Sequence, residues 1–499
     1  MNILFVSAEA YPYIKTGGLG DVVGSLPEAL SQPPFNHSVK ILLPAYRQIK
    51  IQFDDLDLVA ELGNPFGFGA MRLLQGKRGN KGACCLLLEC DVLFDRDGGP
   101  YIDTAGRDHP DNAERFAALC WTGAVITQYG GLIGWQPDLV HAHDWQAGLL
   151  PAYLKAWGMR YPPVVFTIHN LQFTGAFEHA QYSRTCLPES LYHMEGLEYF
   201  GRYSMLKAGI VYSDWLTTVS PTYAREIQTP AYGCGLEGLL SNSRHKLDGI
   251  LNGVDYSVWN PESDTYLAQN YDVSTASEGK TANKRALQKL LGLDPVADQP
   301  LFGVVSRLSE QKGLDLLVSC VEHLMASDAQ LCLLGSGDPL LEKTFTLLAQ
   351  QYPGRIATTI GYEEALSHQL QAGCDFLFVP SRFEPCGLTQ LYALRYGTIP
   401  LVRRTGGLAD TVSDADDTTS ADQTSPSDFQ AQTGIVFGDA SPAALSAAIK
   451  RAITLYDDPQ RMIEVRRAAM RQDFSWKTAA EDYVRLYSML VSPDMRPER

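Results

Sequence analysis

The sequence is short of the features that mark several large protein classes. Its ten cysteines are scattered, with no C-x-x-C pair and no zinc-like spacing, which argues against a disulfide framework or a structural zinc site and suits a reducing compartment. No apolar run approaches membrane-spanning length, and no basic region precedes the first strand-like segment. The expectation is a cytoplasmic protein with neither signal peptide nor anchor. Positive charge is also scarce: 41 Lys and Arg against 57 Asp and Glu leave a formal charge of -16. That balance argues against a general nucleic-acid or anionic-membrane binder, yet it is compatible with a local basic pocket for phosphates. The expected partner is small or neutral.

What is present is globular. A hydrophobic content of 45% and a charged content of 20% are the values of a folded chain, and 499 residues exceed one ordinary core, so two or more domains are expected. Strand-like runs alternate with helix-like ones almost throughout, the α/β pattern of parallel sheets covered on both faces. In the first half Asn2 to Ser7, Val39 to Leu43, Asp138 to His143, Val164 to His169 and Leu216 to Val219 read as buried strands. Met71 to Gln75 and Ala83 to Glu89, joined by GKRGNKG, read as a hairpin at a sheet edge. In the second half LFGVVS, QLCLLGSG, IATTIGY, CDFLFVP, IPLVRR and GIVF read as the strands of a doubly wound domain. The expected boundaries are 1–255 for an N-terminal Rossmann-like domain, 256–283 for a linker after an ILNGVD strand, and 284–474 for a second Rossmann-like domain. A last helix within 475–499 is expected to dock on the first domain, and the acidic stretch from Asp414 to Gln432 reads as a surface loop.

One device occurs twice. Lys15 to Asp21 reads KTGGLGD and Arg404 to Asp410 reads RTGGLAD, each following a strand-like run and opening a helix-like one. Paired glycines permit a sharp turn and close approach to a ligand, and the first free N–H groups of a helix suit anions. In open α/β sheets ligands lie beyond the carboxyl ends of the strands. Those ends carry Asp144 and Trp145, His169 and Asn170, Arg307 and Lys312, and then Arg382, Glu384 and Cys386. An arginine can fork onto phosphate oxygens while a lysine five residues on adds a point charge, and backbone N–H groups around Leu388 and Thr389 can add a dipolar share. The plainer reading makes these charges solvated surface groups. The H-x-H pair His141 and His143 is expected to point its rings to opposite faces of a strand and so not to ligate a metal jointly. No Asp-x-Asp motif stands out as a diphosphate metal site.

The blocks KTGGLGDVVGSLPEAL, HAHDWQAGLLP, FTIHNLQFTG, SRLSEQKGLD, GSGD, SRFEPCGLTQLYALRYG and RRTGGLADTV, in that order, resemble the ADP-glucose-dependent bacterial glycogen and starch synthase family. The resemblance spans essentially the whole chain. It implies a GT-B fold, two Rossmann-like doubly wound domains facing a central cleft, the second binding the nucleotide sugar. It also implies retaining transfer of glucose from ADP-glucose to the non-reducing end of an α-1,4-glucan, with ADP released. By resemblance Arg307 and Lys312 contact the diphosphate, Glu384 holds donor-glucose hydroxyls, and His169 lies beside the anomeric carbon; these four are the catalytic set. Lys15, Gly17, Gly18, Asp21, Asn252, Tyr362, Leu388 and Thr389 are the implied donor-binding residues, with Tyr362 on adenine. Tyr101, Asp144, Trp145 and Asn170 are the plausible acceptor residues, since glucan rings present C–H patches edged by hydroxyls.

Several alternatives stand beside these roles. Asp21 could cap a helix with Lys15 on the surface, Asn252 could be a turn residue before Gly253, and Trp145 could be core. Related transferases carry a second glutamate eight positions beyond Glu384; here that place is Tyr392, which removes the case for a paired-carboxylate mechanism at this loop. A nucleotide-sugar epimerase or hydrolase of the same fold, and a catalytically silent glucan-binding protein, are the competing functions. No cofactor and no metal are expected. Treatment with a chelator should therefore leave transfer activity intact; loss of activity restored only by a divalent cation would overturn that expectation.

Overall fold

Long buried aliphatic runs build two separate sheets. The computed structural model describes residues 1–53, 55–76, 83–296, 298–415 and 432–492. The chain divides into one unit made of Met1–Gly253 with the segment from Trp476 onward, and a second made of Val254–Ser475.

In the first unit the strands are β1 (Asn2–Val6), β2 (Ser38–Pro44), β3 (Leu56–Gly63), β4 (Met71–Gly76), β5 (Cys84–Glu89), β6 (Leu139–His143) and β7 (Val164–Ile168). They continue with β8 (Ala176–Glu178), β9 (Glu198–Tyr199), β10 (Arg202–Ser204), β11 (Trp215–Thr218) and β12 (Leu247–Gly249). Nine of them form one sheet in the order β12-β11-β7-β6-β1-β2-β5-β4-β3, while β8, β10 and β9 make a small antiparallel sheet. The seven strands from β12 to β5 are mutually parallel. Every residue of β6 and β7 is buried, as expected where helices cover both faces. The expected hairpin is present as the antiparallel pair β4 and β5, although β3, which the sequence reading passed over, forms the edge. Its mixed pattern of half-buried and exposed residues is that of an edge strand. The GKRGNKG connection lies largely outside the described residues, as does most of the stretch from Asp414 to Gln432.

The terminal helix Trp476–Val491 belongs to this first unit and packs against the helix Gly18–Ser31. Tyr483 and Tyr487 are fully buried, and the Tyr487 hydroxyl lies 2.7 Å from Nδ1 of His141 on β6. A helix 346 residues distant in sequence thus seals the sheet beside its central strands.

The second unit holds β13 (Leu301–Val305), β14 (Gln330–Gly335), β15 (Ile356–Ile360), β16 (Phe376–Val379), β17 (Ile399–Arg403) and β18 (Ile435–Phe437). All six are parallel, in the order β15-β14-β13-β16-β17-β18. Phe302 stacks between Phe376 and Phe378 at centroid distances of 4.9 and 5.0 Å, fixing β13 against β16.

The stretch 256–283 is not a linker. Trp259 lies stacked between His368 and Tyr392 at 3.8 and 3.9 Å, and the buried Asp264 accepts from the Tyr396 hydroxyl at 2.5 Å and meets His368 Nδ1 at 2.7 Å. The helix Ala276–Leu291 begins inside it and carries Lys284, whose ammonium is 2.7 Å from Asp375, the residue before β16. Few apolar residues made this stretch look unstructured, but Trp259 and Tyr271 are buried and anchor it. The expected ILNGVD strand is likewise displaced: the strand is Leu247–Gly249, just before it.

Close packing behind β7 leaves no room for a side chain at Gly209, where a Cβ would run into the ring of the fully buried Phe166. Gly209→Ala should therefore destabilise the chain by about 1–3 kcal/mol despite the better helix propensity of alanine. Phe166→Leu in the same chain should recover part of that loss. A rise in the thermal midpoint of the single variant would refute this account.

Candidate functional site

Both sheets reverse their strand order at one place. In the first unit β1 and β6 flank the reversal, and in the second β13 and β16 do. Crevices outside the carboxyl ends of such strands are where ligands bind in open α/β sheets. The strand-end residues singled out by sequence follow β6, β13 and β16, which flank these points, and β7, the neighbour of β6; each unit is considered by itself.

In the first unit the loop after β1 opens the helix Gly18–Ser31. Lys15 Nζ lies 2.7 Å from Asp21 Oδ1, an ion pair that is partly exposed, and Gly17 supplies no side-chain cap. Asp21 is inside the helix and does not cap it. A Cβ at Gly17 or Gly18 would meet nothing within 4 Å, so these glycines face open space. Behind them is a group the sequence reading missed. The buried carboxylate of Glu9 accepts from the Thr16 backbone N–H, from the Thr16 hydroxyl at 2.6 Å and from the Tyr101 hydroxyl. Burial, reinforced by the charge of Glu9, holds the Tyr101 phenol well above its usual range. An acidic residue three positions past the apolar strand β1 was the available signal.

Asp144 follows β6 with φ +55 and ψ -176, a backbone region that glycine alone adopts easily. Its own N–H donates to the Thr167 carbonyl at 2.9 Å, and its carboxylate accepts the N–H of His169 at 2.7 Å and that of Asn170 at 3.4 Å. The side chain is buried, which pushes its pKa up to about 7 against the lowering effect of those two bonds. His169 is also buried, and desolvation pushes it down to about 3, so its ring is neutral at physiological pH. Its Nε2 lies 3.0 Å from Nδ1 of His143.

The expected divergence of His141 and His143 is overturned. Residues two apart on a strand share a face, and the two rings lie with centroids 4.0 Å apart. No group of three potential metal ligands occurs among the described residues. Trp145 packs into an aromatic cluster, 4.9 Å from the Phe116 ring and 6.2 Å from Tyr101, which is largely a core environment. Asn170 accepts the Gln172 N–H at 3.1 Å. Asn252, in the same unit, is buried with Oδ1 unmatched by any hydrogen-bond donor among the described residues.

In the second unit the loop after β13 is pressed onto the end of β16. Gly313 sits at φ +65 where a Cβ would strike the Pro380 carbonyl, and the Arg382 N–H donates to the Gln311 carbonyl at 2.8 Å. This brings Lys312 Nζ to 2.6 Å from Glu384 Oε2, which also accepts from the Ser381 hydroxyl at 2.9 Å. Arg382 is spent on Asp315, with contacts of 2.6 and 2.7 Å. Arg307 is exposed, and its guanidinium makes no hydrogen bond to the described residues. Leu388 and Thr389 open the helix Thr389–Arg395, and Cys386 is buried beside them. Tyr362 is 66% exposed, its hydroxyl bonded to the Glu364 carboxylate.

The second TGGL loop plays a different part from the first. A Cβ at Gly406 or Gly407 would collide with the carbonyls of Glu384 or Cys386, and the Gly407 N–H is 3.1 Å from the carbonyls of both Glu384 and Pro385. What these glycines approach closely is the loop that carries Glu384. Arg403, which sequence reasoning did not single out, donates from Nε to the Ser381 carbonyl at 3.0 Å and braces the same loop.

Comparison with known proteins identifies the family. Residues 2–242 match the model of the starch synthase catalytic domain, and residues 293–468 match that of glycosyl transferases group 1. A glycogen synthase of Rhodospirillum rubrum is 49% identical over 99% of both chains, and one of a Marinomonas species is 47% identical over 99% of this chain and 100% of its own. Among solved structures, the catalytic domain of starch synthase IV from Arabidopsis thaliana, bound to ADP and acarbose, superposes with a TM-score of 0.85 at 32% identity, covering 98% of this chain and 99% of its own. With two Rossmann-like units of GT-B type and full-length similarity to these enzymes, the chain belongs to the glycogen synthase family of glucosyltransferases.

Proposed function

We propose that the chain transfers glucose from ADP-glucose to the non-reducing end of an α-1,4-glucan with retention of configuration, releasing ADP. The observation that carries this reading is the 2.6 Å pair of Lys312 and Glu384 at the strand-order reversal of the second sheet. Cleavage at C1 leaves growing negative charge on the diphosphate, and cations fixed beforehand stabilise it. Arg307 and Lys312 are assigned that task. Glu384, oriented by Lys312 and Ser381, retains acceptor capacity for sugar hydroxyls, and Leu388 and Thr389 add backbone N–H donors.

His169 is assigned to the donor glucose beside the anomeric carbon, where its carbonyl faces oxocarbenium-like charge. Its neutral ring adds no opposing positive charge there. Front-face displacement, with the departing phosphate helping to take the acceptor proton, is the step this arrangement supports. Lys15, with Gly17, Gly18 and Asp21, is assigned to the donor's sugar and phosphate end, and the unmatched oxygen of Asn252 is an acceptor for a donor hydroxyl. The exposed Tyr362 ring suits adenine. Tyr101, Asp144, Trp145 and Asn170 are assigned to the glucan. The ADP and acarbose bound by the plant starch synthase IV domain support both ligand classes. The reading needs no metal or further cofactor and no nucleic-acid or membrane partner, and it places the protein in the cytoplasm. No helix among the described residues is long and apolar enough to cross a membrane.

Purified protein given glycogen and either ADP-glucose or UDP-glucose should elongate glucan chains faster with the adenine donor, in step with nucleotide release. Glu384→Gln should lower kcat by about 10²-fold or more, as loss of a preorganised polar group does. Nucleotide release without elongation would favour a hydrolase instead.

Asp144 gives a pH signature. A carboxyl raised from its ordinary value near 4 to about 7 is most stable in its protonated form, so its contribution is fully present below about pH 4 and is lost as pH rises to about 7. Asp144→Asn keeps an oxygen for both N–H groups without the titration. The stability of the native chain relative to this variant should fall between pH 4 and 7 and then level off. A constant difference in urea midpoints over that range would show that Asp144 is ionised throughout.

A further inference from the structure

Three histidines stand in a row at the carboxyl end of the first sheet. His141 and His143 are fully buried on β6, and His169 is buried just past β7. Desolvation first, and the charge of neighbouring histidines second, holds His141 and His143 well below the usual imidazole range; desolvation alone does so for His169. Each ring is therefore neutral and carries one proton. His141 has both nitrogens engaged, by the Tyr487 hydroxyl at 2.7 Å and the Thr167 hydroxyl at 2.5 Å. The ring of Phe5 stacks on His143 at 5.2 Å with an interplanar angle of 24°, fixing its plane.

The 3.0 Å contact between His143 Nδ1 and His169 Nε2 admits two proton arrangements. If His169 donates, His143 must carry its proton on Nε2. That atom is buried and meets no hydrogen-bond partner among the described residues, so an N–H would be stranded there. If His143 donates from Nδ1, its Nε2 is a bare lone pair, and His169 must carry its own proton on Nδ1. A stranded buried N–H is rarer than an unfilled acceptor, which favours the second arrangement.

We infer that His143 is a positioning residue whose Nδ1–H bond to His169 Nε2 holds His169 in the Nδ1-protonated tautomer, so that His169 presents an uncharged N–H donor to a hydroxyl of the donor glucose. The inference rests on the functional reading given above for the placement of His169. A neutral donor there can grip a hydroxyl without opposing the positive charge that develops at the anomeric carbon. The geometry resembles the outer partners that fix the tautomer of metal-ligating histidines, although the partner here is a second imidazole.

Nitrogen-15 NMR of the full chain labelled at histidine reads the tautomer without turnover, with His169→Asn identifying the His169 signals. His169 Nε2 should resonate as an unprotonated imidazole nitrogen in the native chain and should shift towards the protonated position in His143→Leu. In steady-state assays His143→Leu should lower kcat about 10- to 100-fold while KM for ADP-glucose changes less than about threefold. His143→Asn, which retains an N–H near the Nδ1 position, should return kcat to within about threefold of native. A native His169 protonated at Nε2 overturns the inference, and so does an Asn variant as slow as the Leu variant. If the native chain transfers no glucose, the functional reading fails, while the spectrum still decides the tautomer.

Discussion

The side chain of Asp144 is removed from water, yet it accepts the backbone N–H of His169 at 2.7 Å, and the strand-end loops of the first unit depend on that bond. Burial works against the ionised carboxylate, and φ +55 with ψ -176 adds backbone strain of about 1–3 kcal/mol. A residue kept in this state must be held by its surroundings. The holding groups are the Thr167 carbonyl on one side and the N–H groups of His169 and Asn170 on the other. The same few atoms therefore fix where β6 ends and where the His169 loop begins. Strain and desolvation are thus concentrated at one strand end.

The paired TGGL loops show how one backbone device serves two purposes. Glycine is useful wherever another group must come close, and the identity of that group is not written in the motif. At Gly17 and Gly18 there is open space, which leaves the N-terminal end of a fourteen-residue helix accessible. At Gly406 and Gly407 the space is already filled by the carbonyls of Glu384 and Cys386. The second loop acts through Glu384: with Arg403 behind it, it sets the height of that carboxylate against Lys312.

Much of the architecture was legible because parallel strands buried on both faces read as plain apolar runs, and most of those runs became strands within a residue or two. The edge strand β3 was missed because LDLVAELG lacks a clean alternation, its residues being half-buried or exposed. The stretch 256–283 was misread because its order comes from a few isolated anchors, Trp259, Asp264 and Tyr271, whose partners lie about 100 residues away or more. At the candidate site, strand-end polar residues pointed to the right loops. Arg403 and the contact from His143 to His169 were not legible, since each acts through a partner that only the fold brings near.

Charge placement in the second unit follows from the same logic. A chain with a formal charge of -16 repels a diphosphate at long range, so attraction must come from groups close to it. Arg382 cannot supply that attraction, because Asp315 takes both arms of its guanidinium. Lys312 shares its charge with Glu384 at 2.6 Å, so part of that charge is compensated within the loop. The exposed Arg307 is then the cation whose charge is least compensated by the residues around it. The loop after β13 thus carries a graded pair, with one cation tied to the carboxylate and one available to an incoming anion. A sugar diphosphate, whose charge lies to one side of a neutral ring, has the matching polarity.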